Sequence, residues 1–190
     1  MTIAILALQG AFAEHQQMLH NLGVDSVQIR NLDDWQAYLS AAEEGGGAKA
    51  LIIPGGESTS MMRIVRDEAL LVPLQEAIKG GMPVFGTCAG LIMLDGEHLD
   101  TMNIKVKRNA YGRQLGSFNA KADFKGIGEV PMTFIRAPYI ESVEPGVEVL
   151  AVVDGNIVAA RQGKQLVTAF HPELDDDTRI HECFLKMIED

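Results

Sequence analysis

Cys88 stands between two glycines, Gly86 and Gly90, in the stretch VFGTCAGLIML. The stretch predicts a buried strand, a tight turn and an apolar helix, the pattern in which a sharp turn lifts a nucleophile above the carboxyl edge of a sheet. A helix N-terminus beside the sulfur would favour the thiolate, which is the nucleophilic form. The pattern indicates a candidate nucleophile, with a buried cysteine at a glycine-rich turn as the alternative.

A candidate base follows another predicted strand, in VTAFHPEL at residues 167–174. Residues i and i+2 of an extended chain point the same way, so His171 and Glu173 would share a face. Glu173 could then orient the imidazole while its other nitrogen faces the thiol of Cys88. A histidine before a proline is often purely structural, but the three residue types together favour a Cys-His-Glu triad.

A third element, IIPGGEST at residues 52–59, combines a buried strand with two glycines and a helix cap that we expect at Ser58 or Thr59. Glycines let backbone N–H groups turn into a pocket, so Gly56 and Ala89 could form an oxyanion hole. An ordinary strand-to-helix turn is the alternative. The stretch matches neither G-x-G-x-x-G nor G-x-x-x-x-G-K-[ST], so nucleotide binding is not indicated.

Short apolar runs alternate with helix-like segments through the first half of the chain. Apolar runs between helices are typical of parallel strands that are buried on both faces. The predicted strands are TIAILAL (2–8), SVQIR (26–30), KALIIP (49–54) and MPVFG (82–86), and the predicted helices are 14–23, 32–44 and 58–79. This order predicts a doubly wound α/β fold.

The second half of the chain is rich in β-forming residues and turn signals. Asp154-Gly155-Asn156 and Gln162-Gly163-Lys164 predict antiparallel hairpins. A helix from about Asp177 would close the chain, and the glycines at 45–47 would form a surface loop. We expect a single domain over residues 1–190 whose mixed sheet gains extra antiparallel strands.

Composition and charge narrow the possible partners. The chain has 190 residues, of which 47% are apolar and 22% charged, and this is ordinary globular composition. Its formal net charge of -10 would repel nucleic acid and acidic membrane surfaces. No apolar run reaches the length of a membrane span and no secretory signal is recognisable, so we expect a cytoplasmic protein.

Cys183 offers a contrast with Cys88. In the final helix it shares an i, i+3, i+4 spacing with apolar residues such as Ile180 and Phe184, which predicts one buried stripe. Free cysteine often behaves as a small buried hydrophobe. A disulfide is not expected in a reducing compartment, and Cys183 is predicted to be part of the core.

With PGGEST, GTCAG and HPE in this order, the chain resembles class I glutamine amidotransferases, which hydrolyse glutamine with a Cys-His-Glu triad. The resemblance spans nearly the whole chain and implies a flavodoxin-like three-layer fold with a mixed, mostly parallel sheet flanked by helices. Further stretches are similar to one branch, the glutaminase subunits of pyridoxal 5′-phosphate synthases. They are LALQGAFAEH (6–15), PGGESTSM, GTCAGLIML, RNAYGRQ (108–114), FIRAPYI (134–140) and AFHPEL (169–174).

The resemblance implies roles for the individual residues. Cys88 would be the nucleophile, His171 the general base and acid, and Glu173 its orienting partner. Neither a metal nor an organic cofactor is implied. The residues implied to bind glutamine are Gly56, Glu57, Ser58, Arg108, Ile135 and Arg136.

The resemblance also implies partners: L-glutamine as substrate, and a lyase subunit that receives the ammonia within a large hetero-oligomer and builds pyridoxal 5′-phosphate. Three alternatives remain open: a glutaminase subunit of another synthase, a peptidase-like or deglycase-like hydrolase, and a non-enzymatic flavodoxin-like binding module. The chain departs from the family pattern in a short acidic segment at 95–102, in Tyr139 where a histidine is usual, and in the glycines at 45–47.

Overall fold

Strands and helices alternate in the first half of the chain, as the apolar pattern predicts. The computed structural model describes residues 1–45, 47–111 and 116–190, so Gly46 of the glycine run and residues 112–114 of RNAYGRQ lie outside the described residues. The elements are β1 (Thr2–Leu6), α1 (Phe12–Asn21), β2 (Asp25–Ile29), α2 (Leu32–Glu44), β3 (Leu51–Ile53), α3 (Ser58–Asp67), α4 (Leu71–Lys79), β4 (Val84–Thr87) and α5 (Ala89–Leu94).

Antiparallel strands dominate the second half. Both predicted hairpins are confirmed, because β9 pairs with β10 across Asp154-Gly155 and β10 pairs with β11 across Gly163-Lys164. The elements are β5 (Ile104–Lys107), β6 (Ser117–Phe124), β7 (Gly128–Ile135), β8 (Tyr139–Val143), β9 (Glu148–Val153), β10 (Asn156–Gln162), β11 (Gln165–Thr168), a 3-10 turn (Pro172–Leu174) and α6 (Arg179–Glu189).

The main sheet has the strand order β2-β1-β3-β4-β11-β10-β8-β5, with β9 on β10, and β6 and β7 form a separate hairpin. Its first five strands run parallel. Residues 3–6 and 51–53 are fully buried, as expected of strands covered on both faces. The predicted α/β fold with a mixed, mostly parallel sheet is confirmed. Among the described residues, no helix is long and apolar enough to cross a membrane.

The single helix predicted over 58–79 is wrong. The structure breaks it between α3 and α4, where Ala69 adopts a φ of 56°. The apolar spacing continues across the break, so periodicity alone could not reveal a left-handed residue there.

Cys183 is half-buried, so its predicted place in the core is wrong. His181 is instead fully buried beside Ile180 and Phe184. Burial raises the pKa of the Cys183 thiol and disfavours its thiolate.

The carboxyl ends of β1, β3, β4 and β11 lie side by side in the parallel part of the sheet. Ile53 pairs with Gly86, and Thr87 pairs with Thr168. The chain therefore leaves three of these strands at neighbouring points, immediately before Pro54, Cys88 and Ala169. In open α/β sheets this edge is where ligands bind.

Candidate active site

Cys88 occupies a strained turn between β4 and α5. Its backbone has φ 50° and ψ -101°, a conformation that costs a residue with a side chain about 1–3 kcal/mol. Its N–H donates to the Thr168 carbonyl oxygen over 2.8 Å, which fixes the turn to β11. The strand, turn and helix predicted around Cys88 are confirmed, and the conformation is that of a nucleophile elbow.

His171 and Glu173 form a close buried pair. His171 Nδ1 lies 2.6 Å from Glu173 Oε1, and each residue is only 6% exposed. The main-chain N–H of His171 donates to the Thr133 carbonyl oxygen over 2.8 Å, which holds the residue against β7. The expected pairing of these two side chains is therefore present, although Glu173 lies in a 3-10 turn and not in extended chain.

The His171 imidazole also interacts with Cys88. Burial lowers the pKa of His171, but hydrogen bonds and charge interactions with Cys88 and Glu173 outweigh burial and raise it to about 10. Burial raises the pKa of Glu173, and its contact with His171 opposes that increase. These interactions favour a protonated imidazole beside the sulfur at neutral pH.

Gly55 lies against both the His171 imidazole and the Cys88 side chain. A Cβ atom at this position would lie 2.3 Å from His171 Cε1 and 3.3 Å from Cys88 Cβ. The two side chains can therefore adjoin only because residue 55 has no side chain. The Cys88 Sγ makes a further long contact of 3.9 Å with the Ile135 carbonyl oxygen.

The expected oxyanion loop follows β3. The Glu57 N–H donates to Gln9 Oε1 over 2.7 Å, and the Gly55 carbonyl oxygen accepts from the Ala11 N–H over 2.9 Å. The loop is therefore tied to the segment after β1. Ala89 opens α5, so its N–H belongs to the first turn, whose donors have no partner within a helix.

Glu57 is the N-cap of α3, so the cap predicted at Ser58 or Thr59 is wrong. The Glu57 carboxylate accepts from the N–H groups of Thr59 and Ser60 over 3.1 and 2.7 Å. These bonds, with that of Ser60 the strongest, lower the pKa of Glu57 to about 2. Arg108 reaches the same helix end, where its Nη2 donates to Thr59 Oγ1 over 3.0 Å.

A cleft of about 630 Å³ opens over these residues. It contains Cys88 and His171, whereas Glu173 lies behind the imidazole. The hydroxyl of Ser58 is buried and has no hydrogen-bond partner in the described part of the chain. All the residues expected to bind glutamine line the cleft, namely Gly56, Glu57, Ser58, Arg108, Ile135 and Arg136.

The cleft also includes residues to which the sequence analysis assigned no role. Gln9 and Glu14 come from the segment after β1, Asn109 follows Arg108, and Leu174 follows Glu173. Gln9 follows a buried parallel strand, as Cys88 and His171 do, and that position could have indicated it.

Two of the departures from the family pattern lie away from the cleft, within the described part of the chain. Tyr139 is half-buried on β8, where its ring packs edge-on against Tyr111 at 6.0 Å between centroids. In the acidic segment, His98 Nδ1 lies 2.6 Å from Asp95 Oδ1. These differences therefore leave the candidate triad intact.

The chain matches the model of the SNO glutamine amidotransferase family over residues 5–190. Curated relatives include the pyridoxal 5′-phosphate synthase subunit PdxT of Streptococcus pneumoniae serotype 2 strain D39 and that of strain ATCC 700669. Each is 54% identical over 197 aligned residues that cover 100% of this chain and 99% of the relative.

Solved structures share the fold. A crystal structure of a glutamine amidotransferase matches with a TM-score of 0.88 and 36% identity and covers 99% of each chain. The crystal structure of a putative GMP synthase component from Thermoplasma acidophilum matches with a TM-score of 0.72 over 100% of this chain and 94% of that one, at 16% identity. The second likeness concerns the fold alone.

Proposed function

Because this chain belongs to the SNO glutamine amidotransferase family, we propose that it hydrolyses L-glutamine to L-glutamate and ammonia with Cys88, His171 and Glu173. The ammonia passes to the lyase subunit of a pyridoxal 5′-phosphate synthase for vitamin B6 biosynthesis. The observation that carries this proposal is the meeting of the thiol, the imidazole and the carboxylate at one cleft.

The first half of the reaction forms a thioester. The Cys88 sulfur attacks the side-chain amide carbon of glutamine, and the carbonyl oxygen becomes an oxyanion that the N–H groups of Gly56 and Ala89 stabilise. When the C–N bond breaks, His171 gives its proton to the departing nitrogen and ammonia leaves. The raised pKa of His171 suits this step, because the imidazole already holds the proton.

The second half releases glutamate. Neutral His171 now removes a proton from water, whose oxygen attacks the thioester carbon, and the C–S bond breaks to give glutamate and the Cys88 thiolate. The Glu173 carboxylate accepts a hydrogen bond from His171 Nδ1, so the proton on Nδ1 stays in place. His171 Nε2 therefore carries out both proton transfers.

Charges around the cleft suit an amino-acid substrate. Arg108 and Arg136 supply positive charge for the α-carboxylate, and the carboxylate of Glu57 supplies negative charge for the α-ammonium group. The buried hydroxyl of Ser58 has no partner in the described residues and is available to the substrate. The backbone of Ile135 completes the wall next to the sulfur.

The family assignment also decides among the alternatives. Relatives that are 54% identical along their whole length are named as subunits of pyridoxal 5′-phosphate synthase, and this favours that synthase over another ammonia acceptor. A non-enzymatic module would not need a strained cysteine beside a buried His-Glu pair. We further propose that the protein works in the cytoplasm, as one domain, in a hetero-oligomer with the lyase subunit.

The test is release of glutamate from glutamine, measured with and without the lyase subunit, for the wild type and for Cys88→Ala. We expect activity from the wild-type complex and none above background from the variant complex. Cys183→Ala is the matched control and should keep wild-type activity. Equal glutamate release by the wild-type and Cys88→Ala complexes would refute the proposal.

A further inference from the structure

A second pair of histidines lies behind the triad. His15 on α1 and His181 on α6 are both fully buried, and His15 Nδ1 lies 2.9 Å from His181 Nε2. On its other side, His15 Nε2 lies 3.1 Å from Thr87 Oγ1 and 3.6 Å from Glu173 Oε2. Phe85 packs edge-on against both imidazoles. The polar contacts of this pair therefore lead to the carboxylate that orients the candidate base.

The two oxygens of Glu173 have different surroundings. Oε1 accepts from His171 Nδ1, whereas Oε2 is buried and no hydrogen bond from the described residues reaches it. A buried carboxylate oxygen that faces no hydrogen-bond donor destabilises the folded protein. His15 Nε2 lies slightly beyond hydrogen-bond length, so an N–H there would present a positive dipole to Oε2.

The hydrogen-bond partners determine which nitrogens carry protons. His181 Nδ1 is buried and has no partner among the described residues. In proteins, a buried N–H without an acceptor is rarer than a buried acceptor without a donor. The proton of His181 therefore belongs on Nε2, which donates it to His15 Nδ1. His15 must then carry its own proton on Nε2, which lies within hydrogen-bond distance of Thr87 Oγ1 and slightly beyond it from Glu173 Oε2.

Both histidines are neutral in this arrangement. Burial lowers the pKa of His15 well below its usual value, and the neighbouring His181 and His171 add to the effect. Burial lowers the pKa of His181 to about 3. A neutral imidazole has one N–H, so at neutral pH His181 donates to His15, and the N–H of His15 stays on the side of Thr87 and the Glu173 carboxylate.

We infer that His15 is a positioning residue of the proposed glutaminase site: its Nε2–H, hydrogen-bonded to Thr87 Oγ1, also presents a positive dipole to the second oxygen of Glu173 and so keeps His171 aligned with Cys88. His181 fixes the tautomer of His15. The inference rests on the proposed function. His15 is not among the described residues that line the cleft, so its effect must reach the substrate through Glu173 and His171.

Two amide variants at position 15 separate this role from a merely structural one. The amide nitrogen of His15→Gln can take the place of Nε2 and still face Glu173, whereas that of His15→Asn reaches only the place of Nδ1. Both variants are neutral and polar, and they differ by one methylene group. His98→Asn is the control, because His98 also contacts a carboxylate but lies away from the cleft.

The experiment measures glutamine hydrolysis by each variant in complex with the lyase subunit, together with thermal unfolding. We expect His15→Asn to lower kcat about tenfold or more while the KM for glutamine changes less than about twofold. His15→Gln and His98→Asn should keep kcat within about threefold of the wild type. In His15→Asn, Glu173 is held less firmly and therefore raises the pKa of His171 less. The fall of kcat on the alkaline side of its pH profile should then occur at lower pH than in the wild type.

The titratable groups that face His15 are His181 from α6 and Glu173 from the 3-10 turn, with His171 beyond the carboxylate. Equal kcat and equal pH profiles for the Asn and Gln variants would overturn the inference, whatever their melting temperatures. Failure of the proposed function is a separate result, since the wild type would then release no more glutamate than Cys88→Ala.

Discussion

The side chains of the proposed nucleophile and base adjoin only because residue 55 is a glycine and has no side chain. The Cys88 thiol and the His171 imidazole follow strands β4 and β11, and the loop after β3 lies against both of them at Gly55. A nucleophile and its base must approach to hydrogen-bond distance, and displacement by about 1 Å can cost a hundredfold in rate. Gly55 is thus as necessary for the geometry as the residues of the proposed triad, although it supplies no chemical group.

Gly55→Ala should lower the kcat of glutamine hydrolysis by about a hundredfold or more, because the new methyl group would overlap His171 Cε1. The measurement is glutamate release by the complex with the lyase subunit. Gly47→Ala is the matched control, since no atom of the described residues lies within 4 Å of a Cβ there. A Gly55→Ala enzyme within a few-fold of wild-type kcat would show that the loop takes another path in the working protein.

Some residues of the site could be identified from the sequence, and others could not. The spacing of His171 and Glu173 and the glycines around Cys88 carry local signals that a single sequence displays. The link from His15 to Glu173 joins distant parts of the chain and depends on how α1 packs against the 3-10 turn after β11. No local pattern encodes such a contact, because it exists only after the sheet has formed.

At the scale of elements, α5 packs unusually close to the sheet. A Cβ at Gly90 would lie 2.0 Å from the Ile53 carbonyl oxygen, so the helix and β3 touch through their backbones. This contact holds the N-terminus of α5, and with it the Cys88 turn, against β3, which leads into the proposed oxyanion loop.

Gly90→Ala should therefore destabilise the protein, although replacing glycine within a helix usually stabilises it by about 1 kcal/mol. We expect the free energy of unfolding to fall by about 1–3 kcal/mol, since a backbone clash cannot be relieved by rotating a side chain. Urea unfolding followed by the fluorescence of Trp35, the single tryptophan, measures it.

The control for that change is Gly96→Ala, whose added Cβ would meet only Asp100 Oδ1 at 3.8 Å among the described atoms. It should leave the unfolding free energy within about 0.5 kcal/mol of the wild type. Wild-type stability for Gly90→Ala would contradict the close approach of α5 to β3.

Element types followed from the sequence better than element boundaries did. Continuous apolar runs identified the parallel strands, and Asp154-Gly155 identified a hairpin, since both signals come from neighbouring residues. The break at Ala69 and the capping of α3 by Glu57 were missed. The residue types at these two positions do not by themselves specify the break or the cap. Tertiary contacts determine where α3 begins and where it ends.

At the scale of the molecule, the parallel and antiparallel halves of the main sheet have different roles. Its parallel half brings the ends of β1, β3, β4 and β11 together at one edge and so assembles the cleft from distant segments. Its antiparallel half extends the same sheet, and the separate hairpin of β6 and β7 supplies Ile135 and Arg136 to the far wall. The apolar runs of the first half predicted the α/β class, and the turn signals of the second half predicted the added antiparallel strands.

Supply of ammonia to a partner makes a prediction for the whole complex. If this chain serves only to release ammonia, Cys88→Ala should lower the glutamine-dependent formation of pyridoxal 5′-phosphate roughly 10³-fold or more. The same complex should form the product at the wild-type rate when ammonium salts replace glutamine, because the lyase subunit is unaltered. Absorbance of the product measures both rates. If the Cys88→Ala complex formed no product from ammonium either, Cys88 would be needed for assembly or for the synthase reaction itself. If it still formed product from glutamine, the mechanism could not include a thioester on Cys88.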